Sequence, residues 1–173
     1  YSSAASDVYK RQLEAARFDV TFEITPKQPF VKPDEIVVSD SVKKASVDKK
    51  TGLLFLSFDG KTVAENAFCP VLLDDYPDPW GWGMHRIGKN PVDIPLSSCE
   101  KGVFAGLQSV NVIEDGEVMT EVESLFERDC SFVRTDYKIY KDLPYIDVTV
   151  ETLWNEKDKG LKLRVPTPLQ GKF

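Results

Sequence analysis

The side chains best suited to chemistry crowd into one stretch, DDYPDPWGWGMHR, Asp74 to Arg86. It holds three aspartates, two tryptophans, two prolines, two glycines and the only histidine of the chain, His85. His85 with Asp78 or Asp75 could enter a metal shell, and Trp80 and Trp82 stand two residues apart. In an extended segment that spacing puts both indoles on one face, as a sugar-stacking platform requires. Each idea has a plainer rival. A metal site needs further ligands, and one histidine cannot make a His-x-Asp or HExxH cluster. A histidine hydrogen-bonded in an ordered loop is therefore favoured. Tryptophan is usually well buried, and Pro79, Gly81 and Gly83 suit a tight corner, so ring packing is favoured over stacking. GWGMHRIG has G-x-G spacing but opens no helical pattern, so it is no dinucleotide fingerprint.

Paired carboxylates are the other candidate. Glycoside hydrolysis sets two of them about 5–10 Å apart across a sugar. Asp74-Asp75 and Glu114-Asp115 are adjacent acids, and adjacent residues of a strand point to opposite faces. Glu114-Asp115-Gly116 also reads as a hairpin tip, where Asp-Gly serves turn geometry. Both pairs are read as structural. The charged positions Glu117, Glu121, Glu123, Arg134 and Lys138 are read as solvated cross-strand partners.

The chain that carries these residues has 173 positions, 42% of them apolar and 29% charged, and a formal charge of −6. Its length suffices for one domain with a substantial core. The acidic balance argues against a nucleic-acid partner, which needs a lysine and arginine surplus. No apolar run approaches the ~20 residues of a membrane span, and no secretory signal pattern is present. Cys69, Cys99 and Cys130 match no zinc spacing. Free thiols in a reducing, cytoplasmic setting, bacterial in origin, are the expectation.

Period-2 alternation dominates. Phe18–Ile24 alternates, and the prolines at 26, 29 and 33 suit an extended crossing. Val42–Val47 and Leu53–Phe58 predict a hairpin, with Gly52 supplying the special backbone angle, and Asp59-Gly60 a second tight turn. From Phe104 onward the spacing predicts a meander: Phe104–Glu114, Glu117–Arg128, Ser131–Tyr140 and Tyr145–Trp154. NEKDKG should then turn the chain back so that Leu161–Val165 pairs with the strand before it, because short connections join antiparallel neighbours. Ala67–Gly102, with five prolines, shows no clear alternation. Two packed sheets are the expected architecture.

Three ordered stretches carry a family resemblance: LLDDYPDPWGWGMHR, FAGLQSVNVIEDGEVMTEVESLFE and YKIYKDLPYIDVTVETLWNEKDKGLKLRVPT. With the upstream hairpin VDKKTGLLFLSFDGKTV they resemble the C-terminal β-sandwich region of α-mannosidases of glycoside hydrolase family 38. The resemblance spans roughly residues 39–167. It implies an all-β, antiparallel β-sandwich of the galactose-mutarotase-like super-sandwich type, truncated, over 39–173. Residues 13–38 would be an extended lead-in from a missing upstream domain. Ser2–Gln12 resembles a translated sequencing adaptor and is set aside.

The resemblance further implies a retaining exo-α-mannosidase as the parent enzyme. Its aspartate nucleophile, its second carboxyl and a divalent metal, zinc, would sit in the N-terminal catalytic domain. None of those motifs stands in this chain, so it should hold no catalytic residue and no metal ligand and be inactive alone. Its partners would be its own catalytic domain and α-mannoside glycans. Asp78, Trp80, Trp82 and His85 would be substrate-binding contacts on the pocket wall. The alternative is a carbohydrate-binding or purely structural sandwich of another glycoside hydrolase.

Overall fold

In a computed structural model of the chain, residues 34–75 and 91–168 are described. They form strands joined by turns, with no helix among them. The readings of Ser2–Gln12, of Phe18–Ile24 and of the prolines at 26, 29 and 33 lie outside the described residues.

The first sheet runs in chain order: β1 (Glu35–Ser39), β2 (Lys43–Asp48), β3 (Leu54–Phe58) and β4 (Lys61–Ala67). Its hairpins fall where turn chemistry placed them. Gly52 takes a φ of +70°, and Asp59 and Gly60 take +47° and +71°, the double left-handed conformation of a two-residue hairpin loop. Alternation then decides the faces. Ala45 and Val47 point inward with Ile36, Val38 and Leu54, while Lys44, Ser46 and Phe55 point the other way.

β4 leads almost directly into β5 (Cys69–Asp74). Phe68 between them has φ +64°, a conformation a bulky side chain adopts only under constraint. Its ring meets Tyr137 edge-on, with centroids 6.0 Å apart. The bend there carries the strand out of the first sheet and into another, as sandwich corners do. That second sheet has three strands, in the order β11 (Lys159–Arg164), β5 and β6 (Val92–Asp93). The third comprises β10 (Ile146–Leu153), β9 (Ser131–Tyr140), β8 (Met119–Arg128) and β7 (Val110–Asp115). All pairings are antiparallel.

The apolar clusters show how the layers stack. Ile36, Val47 and Leu54 of the first sheet share a core with Val110, Val122, Tyr137 and Ile139 of the third. Leu72 and Ile94 share another with Phe126 and Val133. The long-stranded third sheet is thus one layer, and the other two sheets lie against it. The fold is an antiparallel β-sandwich.

Three strand assignments change. Cys69–Asp74, inside the stretch that showed no alternation, is a strand with Cys69, Val71, Leu72 and Leu73 all buried. A strand covered on both faces reads as a continuous apolar run, so period 2 vanishes. Phe104–Ser109 is not strand. Gly102 and Gly106 adopt φ of +91° and +83°, and the Gly106 amide donates to the Cys99 carbonyl at 2.8 Å, closing a turn before β7 begins at Val110.

The third change concerns β11, which pairs with β5 and not with β10. The residues after β10 fold over the β8–β9 turn instead of forming a hairpin. The Asn155 amide donates to Ser131 Oγ at 2.9 Å, its side chain to the Cys130 carbonyl at 3.0 Å, and Ser131 Oγ to Glu156 at 2.8 Å. Trp154 Nε1 then donates to the Lys159 carbonyl at 3.0 Å. The chain is thereby turned off the edge of β10, and Leu161 joins Leu72 and Trp154 in the apolar cluster.

Candidate functional site

Asp78, Trp80, Trp82 and His85 lie outside the described residues. The described structure does show where their loop is fixed. It leaves from the end of β5 and returns through β6, and these strands are neighbours, with Leu72 opposite Val92 and Val71 opposite Asp93. Both ends of a long, ring-rich segment therefore rise from one small sheet.

β11 fastens both ends. On one side, Lys159 lies opposite Asp74, and its ammonium meets the Asp74 carboxylate at 2.5 Å. One residue on, the Asp75 amide donates to the Asp158 carbonyl at 3.1 Å. On the other side, Arg164 grips Asp93 with two parallel bonds of 2.7 Å each. A forked guanidinium–carboxylate pair fixes orientation as well as distance. Hydrogen bonding from Arg164 holds the Asp93 carboxyl below its ordinary pKa and raises that of Arg164. Burial pushes the neighbouring Cys69 thiol up, so this cysteine is no ready nucleophile.

Of the remaining acids named in the sequence, Asp115, Glu121 and Glu123 take structural roles. Asp115 accepts from Thr120 Oγ1 at 2.9 Å and from Lys141 at 3.2 Å at the turn end of the β7–β8 hairpin. On the outer face of the third sheet Arg134 meets Glu123 at 2.8 Å and Glu151 at 3.7 Å, and Lys138 meets Glu121 at 3.7 Å. Glu121 and Lys138 are directly opposite in the register, so the cross-strand reading holds there. Among the described residues no three His, Cys, Asp or Glu side chains could hold a metal ion together.

Sequence reasoning missed two polar clamps. Lys43 is almost wholly buried. Its ammonium donates to the carbonyls of Tyr140 and Leu143, the latter at 2.6 Å, and pairs with Asp40 at 3.0 Å. The clue was available: alternation puts Lys43 on the face of Ala45 and Val47. Glu127 accepts from the Val103 amide at 2.7 Å and from Ser97 Oγ at 2.9 Å, holding the Ser97–Gly106 loop beside β8. Nothing in the local pattern announces that contact, which joins residues 24 and 30 positions apart.

No curated protein matches the chain. The family model described as the glycosyl hydrolases family 38 C-terminal domain matches residues 38–173. That is well over half of the 173 residues, and it includes every strand from β2 to β11. The sandwich belongs to glycosyl hydrolase family 38 as its C-terminal domain.

Proposed function

We propose that this chain supplies the C-terminal sandwich of a retaining exo-α-mannosidase, which removes terminal α-mannose residues. The sandwich docks against a catalytic domain, and its loop 74–86 forms part of the wall of the sugar pocket. The observation that supports this best is the loop's mounting. Two adjacent antiparallel strands carry it, and β11 holds each with an ion pair. Paired strands that fix both ends of a connecting segment are how scaffolds present binding residues, and pockets favour domain boundaries.

In this reading Trp80 and Trp82 offer apolar ring faces to the sugar, and Asp78 and His85 offer hydrogen bonds to its hydroxyls. The nucleophile and the acid/base belong to the catalytic domain. So does the divalent metal, zinc, which would polarise sugar hydroxyls when bound. The described sandwich has no donor set for it.

The test is kinetic. In the full-length enzyme, W80A and W82A should raise KM for an aryl α-mannoside several-fold. Hydrolysis of a different aryl glycoside, with the α-mannoside left intact, would overturn the substrate assignment. Unchanged kinetics in both variants would overturn the pocket-wall role.

A further inference from the structure

The outer face of the first sheet differs from that of the third. On the third, acids and bases meet one another: Arg134 with Glu123 and Glu151, Lys138 with Glu121. On the first, Lys44, Glu35 and Glu65 make no ion pair among the described residues. They stand instead around a half-buried ring, Phe55, at the centre of the face. Ser46 lies directly opposite Phe55 in the register, and its small side chain leaves a hollow beside the ring. The hollow is a groove of about 270 Å³ whose lining includes Phe55, Ser46, Lys44, Asn66 and three acids, Glu35, Asp48 and Glu65. Its size is near the lower end of small-ligand sites, roughly 300–1,000 Å³.

A backbone irregularity shapes this groove. Leu54 pairs with Ala67 and Leu56 with Ala64, with the register shifting between them. One residue of β3, Phe55, therefore opposes two of β4, Glu65 and Asn66. Asn66 adopts φ +51°. In a regular strand Glu65 and Asn66 would face opposite ways. The bulge lets a carboxylate and a carboxamide line the groove together, which is how bulges re-aim side chains beside binding sites.

We infer that this groove is a second saccharide-binding site, outside the loop 74–86, taking a neutral pyranose stacked on Phe55. The chemistry selects that class. A ring face offers contact to the C–H side of a sugar. Glu35, Asp48 and Glu65 accept hydrogen bonds from hydroxyls, whereas Lys44 and Asn66 donate to them. An anion would meet three carboxylates, whereas a neutral polyol uses these acceptors and the Lys44 and Asn66 donors together and brings an apolar face to Phe55. The groove's geometry stands apart from the proposed activity. Only the expectation of mannose over other hexoses rests on that reading.

The test is an amide-shift titration of the full chain by NMR, using mannotriose, cellotriose and xylotriose. The expected result is saturable shifts at Ser46, Phe55 and Asn66 with mannotriose. F55A should bind roughly tenfold more weakly, the loss of one stacking contact. E65Q, which keeps the ring and the size, should weaken binding while leaving the spectrum of the free protein intact, and so covers a failure of F55A to fold. Shifts at these residues with cellotriose or xylotriose alone would uphold the groove and overturn the mannose preference. The absence of shifts there with all three sugars, or binding indifferent to both substitutions, would overturn the site.

Discussion

The hydroxyl of Tyr137 donates a 3.1 Å hydrogen bond to the carbonyl of Gly52. The bond crosses the sandwich, from the centre of β9 to the turn between β2 and β3. Burial drives the Tyr137 hydroxyl far above its usual pKa, so it remains a proton donor at any ordinary pH. The turn it holds is tightly fitted. A Cβ on Gly52 would lie 2.6 Å from Leu96 Cδ2 and 3.1 Å from Phe126 Cζ.

Gly52→Ala should therefore destabilise the fold by about 2–4 kcal/mol, combining left-handed backbone strain with overpacking. Tyr137→Phe should cost about 1–3 kcal/mol, because it leaves a buried carbonyl without its donor. The two act on one contact, so the double variant should fall short of the sum. Urea unfolding of the three variants checks this. Strict additivity would mean that the turn and the tyrosine are independent.

Lys43 makes the second tie between layers, joining β2 to the β9–β10 turn. Lys43→Met keeps much of the apolar stem but strips two carbonyls and Asp40 of their cation. The expected loss is about 2–4 kcal/mol, by analogy with buried pairs that lose one partner. Asp40 adds a pH signature. Hydrogen bonds from the Lys43 and Val42 amides hold its pKa at about 2, below the ordinary 3.8. A depressed carboxyl stabilises the fold above its unfolded pKa, and that contribution is lost as pH falls through the folded one. Asp40→Asn should therefore flatten the drop in stability between about pH 4 and pH 2. An unchanged acid limb would refute the assignment.

How much of this was legible follows from which faces are wet. β2, β8 and β9 each have one mainly apolar and one mainly polar face, so their alternation could be read directly. β5 is buried on both faces, and its signal merges into a run such as CPVLLD. The partner of β11 was illegible for another reason. A short connection is compatible with a hairpin or with a step between layers, and contacts from Ser131, Cys130 and Trp154 decide for the step. Lys43 was readable by phase. The Glu127 clamp was not, since its partners are distant in sequence. Asp78, Trp80, Trp82 and His85 were singled out by residue type, and only the mounting of their loop is described.

That mounting makes its own prediction. Arg164 and Asp93 are about half exposed, so Arg164→Gln should lower global stability by less than about 1 kcal/mol. Local effects should be larger. Amide hydrogen exchange at Val92, Asp93 and Ile94 should speed up, because β6 is only two residues long and depends on this pair. Asp93 has a lowered carboxyl pKa. The same acceleration should appear in the unmodified protein when pH falls through that value, and should be absent above the ordinary carboxylate range. Exchange that is unchanged in Arg164→Gln would show that β6 is held by its backbone pairing alone.

The Glu127 clamp can be broken from the other side, through Gly102. This glycine has φ +91°, and a Cβ placed on it would come 2.1 Å from Glu127 Oε1. Gly102→Ala must then displace the carboxylate that holds the Val103 amide and Ser97, besides straining the backbone. About 2–3 kcal/mol of destabilisation is expected, from a special backbone angle and lost hydrogen bonds together. Cys99 reports on the loop directly. It is half-buried, and its amide donates to Ser97 Oγ at 3.2 Å. In Gly102→Ala its thiol should react several-fold faster with a disulfide reagent under native conditions, while buried Cys69 stays protected. Glu127→Gln retains an amide oxygen for Val103 but weakens the charge-assisted bonds, so its Cys99 reactivity should fall between the two. Equal rates in all three proteins would mean that the Ser97–Gly106 loop keeps its shape without the clamp.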